Sequence, residues 1–131
     1  MLIKTFVKSI YPRHPNKIRI SITFMANSLS YKDKTFTVGS TLGITYKFKE
    51  GEKERKQIFK GILIKVKGNS PQTRMFTVRK ISRSGIGVER IIPLISPFLD
   101  NISLVKKAAQ QKAKLYYIRN LHEKQVKAKI K

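Results

Sequence analysis

The sequence predicts a mainly β protein: a small barrel at residues 36–106, a basic N-terminal extension at 1–35, and a C-terminal helix with a basic tail at 107–131. Three observations point there. Apolar side chains recur at every second position in several short stretches, as in strands with one buried face. Turn clusters containing Gly and Pro separate the stretches. The segment after Lys106 then abandons alternation for a run of helix formers without Gly or Pro. Short, closely spaced strands favour a barrel because closure removes exposed edges.

The elements follow in order. The first 31 residues contain no acid, five basic side chains and several Ser and Thr. That composition fits an organellar transit peptide or a basic arm that threads into RNA. A retained arm, unstructured until it meets a partner, is the expectation. Pro12 and Pro15 break any helix in the cluster Tyr11-Pro12-Arg13-His14-Pro15-Asn16. At 41–49, Leu42, Ile44, Tyr46 and Phe48 share one face, opposite Thr45, Lys47 and Lys49. The polar run 49–55 around Gly51 is a hairpin loop or its flanks. At 57–67, Ile62, Ile64 and Val66 oppose Leu63, Lys65 and Lys67, and Gly61 marks a bulge or a close backbone approach. After the turn Gly68-Asn69-Ser70-Pro71, a third strand at 75–81 sets Phe76 and Val78 against Thr77 and Arg79. A loop with Gly85 and Gly87 leads to a fourth strand at 88–92, stopped by Pro93. A short fifth strand covers 101–106, and a helix is expected over roughly 107–121. Phe59, Ile62, Ile64, Phe76, Val78 and Val88 are the expected core.

Charge narrows the function. The 131 residues hold 29 Lys+Arg against 7 Asp+Glu, a formal net charge of +22, yet 40% are hydrophobic, enough for a core. A compact state with that charge repels itself, and a polyanion relieves the repulsion while binding through counterion release. The cations are uneven: residues 1–35 carry seven basic and one acidic side chain, 36–105 thirteen and five, and 106–131 nine and one. Basic ends around a globular middle suit a protein embedded in phosphate. No stretch approaches the apolar length of a membrane span. With no Cys there is no disulfide framework, thiolate zinc site or Cys nucleophile. Three of the seven carboxylates, Glu50, Glu52 and Glu54, share one loop with Lys and Arg, where they read as solvated ion pairs. His14 and His122 lie far apart, and no Gly pattern opens a helix as a phosphate loop does. No enzyme, cofactor or metal site is expected.

The nucleic-acid signals are positive ones. Arg79, Lys80 and Arg83, with Ser82, Ser84 and Gly85, place cations, hydroxyls and an approachable backbone in and beside one loop. Cations neutralise phosphates, and hydroxyls and backbone N–H groups hydrogen-bond to their oxygens. Lys112, Lys114 and Arg119 flank Tyr116 and Tyr117, an interleaving that grips a backbone and stacks on bases, although Leu115, Ile118 and one tyrosine equally suit packing. Arg74, Arg79, Lys80, Arg83, Arg90, Lys112, Lys114, Tyr117 and Arg119 are the expected RNA contacts.

The blocks FTVRKISRSGIGVERIIPLISP at 76–97 and AKLYYIR at 113–119 resemble the bacterial-type large-subunit ribosomal protein nineteen family, with its FTVRKI…GVER…P-L-x-S-P and AKLYYLR. Upstream, Val38-Gly39-Ser40-Thr41-Leu42, Glu50-Gly51 and the run KERKQIFKGILI at 53–64 are similar to the family's G-D-x-V and E-G-x-K-x-R-x-Q-x-F-x-G-x-V-I. The match spans roughly 36–130. It implies an SH3-like barrel bound to large-subunit ribosomal RNA at the face toward the small subunit. The implied partners are that RNA, neighbouring large-subunit proteins and, at an intersubunit bridge, small-subunit RNA. Departures are Ser40 for Asp, Ile95 for His, a stretch at 106–112 without Gly, and an N-terminus unlike the bacterial one. The last, in a chain rich in Lys and Ile, suggests an organelle or a reduced genome, with a mitochondrion preferred over a plastid or a bacterial cytoplasm. The competing reading is an SH3-like nucleic-acid-binding factor working outside the ribosome.

Overall fold

The computed structural model describes residues 27–130; the Pro-rich cluster, His14 and the rest of 1–26 lie outside the described residues, as does Lys131. Seven strands run in order: β1 (Ser28–Tyr31), β2 (Lys34–Thr37), β3 (Thr41–Glu50), β4 (Lys53–Lys67), β5 (Met75–Ile81), β6 (Gly87–Pro93) and β7 (Leu99–Lys106). β1 and β2 form a two-stranded hairpin, and the others a five-stranded sheet of order β6-β5-β4-β3-β7. Every pairing is antiparallel. The mainly β expectation is met.

Two corrections concern the ends. Residues 28–35, assigned to a loose extension, are part of the β1–β2 hairpin. Its two-residue turn holds Lys32 and Asp33 at φ of 44° and 62°, the left-handed pair that a tight hairpin twist requires. Leu29 and Phe36 face each other across it and are buried. Lys32 donates to the Asp100 carbonyl at 2.8 Å, tying the turn to the start of β7.

The helix expected over 107–121 is absent there. Residues 107–115 follow an irregular path, then a 3-10 helix covers Tyr116–Asn120, and α1 covers Glu123–Lys129. The run Lys107-Lys112 has helix propensity but no apolar stripe to bury, and tertiary anchors override so weak a preference. Those anchors are specific. Ser40 Oγ donates to the Ala108 carbonyl at 2.8 Å and accepts from the Ala108 N–H at 3.2 Å, while Thr37 Oγ1 donates to the same carbonyl at 2.7 Å. The Leu115 N–H then reaches the Ile64 carbonyl at 3.1 Å. Leu115, Ile118, Val126 and Ile130 are buried in the same core as the strands. Val126 and Ile130 supply the i, i+4 apolar pair that 107–112 lacks.

Within the sheet, β3 and β4 pair from Thr41↔Ile62 to Glu50↔Lys53, and Gly51 makes the turn at φ 63°. Gly61 is a site of close approach, because a Cβ there would stand 2.7 Å from the Arg79 carbonyl oxygen. A register shift between Leu63 and Lys65 interrupts the β4–β5 ladder. Alternation breaks at that bulge, so Leu63 and Ile64 are both buried, where the sequence put them on opposite faces. Phe59, Ile64, Phe76 and Val78 are core as expected, and Ile62 is half-buried against it. Val88 is exposed: its cross-strand partner is Lys80, beyond the end of the core, on an edge strand.

The barrel does not close by hydrogen bonding, since the sheet ends at β6 on one side and β7 on the other. It does curl. Arg90 of β6 lies over the rings of Phe59 on β4 and Tyr46 on β3, at 4.6 and 5.5 Å, although β5 separates β6 from β4 along the sheet.

Candidate nucleic-acid interface

The loop after β5 is small and self-closed: the Ser82 N–H bonds to the Ile86 carbonyl at 2.8 Å, and the Gly85 N–H to the Ser82 carbonyl at 2.9 Å. Gly85, at φ 81°, meets open space, and Arg83 and Ser84 are exposed on the loop. Across from it runs the chain joining the 3-10 helix to α1. Between them lies a cleft of about 690 Å³ whose walls include Arg83, Arg119, Asn120, His122 and Lys124. Arg83 and Lys124 are exposed and make no ion pair among the described residues.

The cleft is held together by one carboxylate. Glu89 on β6 accepts from Arg79 Nη1 on β5 at 3.0 Å and from Arg119 Nε and Nη2 at 2.8 and 2.9 Å, the latter a two-pronged grip. Arg79 Nη2 also reaches the Arg119 carbonyl at 3.4 Å. Two strands and the C-terminal segment therefore meet on Glu89. The hydrogen bond from Arg119 holds its carboxyl below the usual range, with Arg79 adding to the effect and burial opposing it. The arrangement needs glycine at position 87, where any Cβ would run into the Arg79 guanidinium.

Both tyrosines sit beside two cations. Lys65 Nζ and the Arg119 guanidinium lie 5.2 and 4.8 Å from the Tyr116 ring centroid. Lys65 also donates to the Tyr116 hydroxyl at 3.1 Å, which lowers the phenol's pKa. Lys112 and Lys129 lie 5.5 and 5.8 Å from the Tyr117 ring.

Of the expected contacts, Arg79, Arg83 and Arg119 converge on the cleft, whereas the exposed Lys80 does not line it and holds its ammonium 5.6 Å from the Phe59 ring, which Arg90 also covers. Lys112 and Tyr117 form a second patch, and Lys114 is exposed on the same segment. Arg90 stands apart on the aromatic rings. Arg74 is removed from the set. Its side chain is buried, donating to the Ser28 carbonyl at 2.7 Å and the Gly68 carbonyl at 3.3 Å, so it fastens β1 to the body instead of meeting phosphate. Glu89, Lys65, Lys124 and Lys129 were not singled out in the sequence. Glu89 alone carried a signal, as an isolated acid between cationic strands; Lys65 and Lys129 join tyrosines that are remote in sequence.

Among the described residues no cluster of three or more His, Cys, Asp or Glu could hold a metal, and no helix is long and apolar enough to cross a membrane. The class is that of a small, strongly basic, sheet-based protein whose surface offers cations and rings in place of reacting groups. Residues 20–131 match the model of one family, ribosomal protein L19, and the chain belongs to it. Members are structural and non-enzymatic, as the sequence led one to expect. The "Large ribosomal subunit protein bL19" of Fusobacterium nucleatum is 50% identical over 96 residues, 73% of this chain and 79% of the relative. Its counterpart from Porphyromonas gingivalis is also 50% identical, over 73% of this chain and 76% of its own length. That from Thermus thermophilus is 45% identical, over 73% and 64%. These relatives are bacterial, and they lend the mitochondrial expectation no support.

Proposed function

We propose that the chain is a structural constituent of the large ribosomal subunit, bound to its ribosomal RNA through the loop after β5 and the C-terminal segment. The observation that carries this is the set of exposed cations on those two elements, Arg83, Lys112, Lys114 and Lys124, which no carboxylate among the described residues neutralises. The exposed part of Arg119 belongs to the same surface, Lys80 adds an exposed cation beside Arg90 over the Phe59 ring, and Arg79 contributes by holding Arg119 through Glu89. Lys112 and Tyr117 make a second contact patch. The names of the relatives support the assignment to the large subunit. A position toward the small subunit, beside neighbouring large-subunit proteins and small-subunit RNA at a bridge, is the finer reading that the family resemblance favours. Phosphate contacts give affinity without sequence choice, so recognition is of RNA shape.

The test replaces Lys80, Arg83 and Lys124 together by Ala and follows large-subunit RNA binding against salt. Losing about three phosphate contacts flattens log K against log[salt] by roughly 2–3, with affinity falling alike for unrelated RNA sequences. An unchanged slope refutes the assignment of the cleft.

A further inference from the structure

Away from the cleft, the far end of the β3–β4 hairpin carries an aromatic ladder that packing does not account for. Tyr46 and Phe48 stack at 6.1 Å between ring centroids with planes 20° apart, and Phe48 meets Phe98 at 6.1 Å and 32°. Burial falls along the ladder, from Tyr46 at 9% exposed through Phe48 at 36% to Phe98 at 55%. The last ring therefore offers surface to a ligand. Phe98 is fixed from behind, because its carbonyl accepts from the Lys47 N–H at 2.9 Å. These rings and Arg90, with Pro93 and Ser96, line a groove of about 350 Å³.

We propose that this groove receives one unstacked nucleobase of an RNA strand, stacked on Phe98 and Phe48 with Arg90 at its edge; the inference rests on the RNA-binding reading above. Arg90 decides between occupants. It is half-buried over the rings of Phe59 and Tyr46, and it has no hydrogen-bond or ion-pair partner among the described residues. A purely apolar protein segment in the groove would strip water from its five donors and return no acceptor, a costly outcome. A nucleotide brings a stacking face together with ring, carbonyl and phosphate acceptors. Charge agrees. Of the carboxylates at this end, Glu54, Glu50 and Asp100 are matched by Lys47, Arg55 and Lys56, so Lys49 and Lys53, with no ion-pair partner among the described residues, outnumber the one carboxylate left without a pair, Glu52.

The experiment uses the full chain and a short single-stranded RNA carrying one 2-aminopurine, alongside the same RNA with an abasic position there. The expected result is quenching of the 2-aminopurine on binding, with quenching lost and affinity reduced by about tenfold in Phe98→Ala, within the range for one stacked base. Phe98→Tyr restores both, and the abasic RNA binds the wild type and Phe98→Ala equally. The ring is largely exposed, so the melting temperature of Phe98→Ala stays close to wild type; Phe48→Ala gives a second, independent loss. Affinity within twofold of wild type in Phe98→Ala, or quenching that persists in it, overturns the proposal. So does a variant that keeps RNA binding but loses a neighbouring large-subunit protein, which would make the groove a protein-docking surface. A steep salt dependence that survives either result leaves the RNA-binding reading standing, whereas a flat one in the wild type refutes that reading itself.

Discussion

Replacing Glu89 by Gln keeps the shape of the side chain and one acceptor while removing the charge on which Arg79 and Arg119 converge. The three bonds it makes are short, but they are unequally sheltered: the side chains of Arg79, Glu89 and Arg119 are 13%, 24% and 44% exposed. Water screens the Arg119 pair, so it adds little. The Arg79 bond is better protected and belongs with hydrogen bonds to charged groups, about 1.5–3 kcal/mol. Together they imply a loss of roughly 2 kcal/mol, a melting temperature lower by roughly 5–15 °C in a domain of this size. The pH dependence has a definite sign. Glu89 titrates below its unfolded value, so its contribution is complete above that value, about 4.3, and disappears as pH falls through the lower folded value. Thermal melts followed by circular dichroism therefore show a wide gap between wild type and Glu89→Gln near neutrality and a much narrower one in acid. Equal melting temperatures near neutrality, or a gap that persists in acid, would refute the keystone role of Glu89.

Other outcomes follow from the same geometry. Arg74→Leu removes the bonds to the Ser28 and Gly68 carbonyls and lowers stability by about 2–3 kcal/mol in denaturant titration, while leaving the salt slope of RNA binding unchanged. Ser40→Ala removes both of its bonds to the Ala108 backbone and costs about 1–2 kcal/mol by the same titration. Leu115→Ala opens a cavity under the C-terminal segment, with a loss of about 2–4 kcal/mol. Hydrogen exchange at Ile118, Leu121 and Val126 then accelerates ahead of that in β5.

Strands β3 to β5 were legible from side-chain alternation, and β6 and β7 from the Gly and Pro turn chemistry around them, and Gly61 announced its close approach. What stayed hidden depends on contacts between distant positions. The bulge after Leu63 shifts register by geometry that no residue type signals, and it makes Ile64 and Leu63 both core. Ala108 in the grip of Ser40 could not be told from helix-forming alanine without the partner 68 residues away. The Lys32-Asp33 turn lacked the usual glycine, so the β1–β2 hairpin was absorbed into the basic extension. The candidate interface divides the same way. A cation in a loop, such as Arg83, is readable as exposed, but whether an arginine in or near a strand faces solvent, a carbonyl or a ring is a tertiary fact. Arg74, Arg79 and Arg90 show the three outcomes.

In the proposed role, the positive charge of the chain is neutralised by ribosomal RNA as a permanent condition of the protein. Sedimentation of a lysate through a sucrose gradient, with the chain followed by antibody, reads this out. The chain should sediment with the large subunit and with whole ribosomes, leave them only in high salt, and show no free pool. A substantial fraction at the top of the gradient at moderate salt would contradict it and favour a nucleic-acid-binding factor that works outside the ribosome.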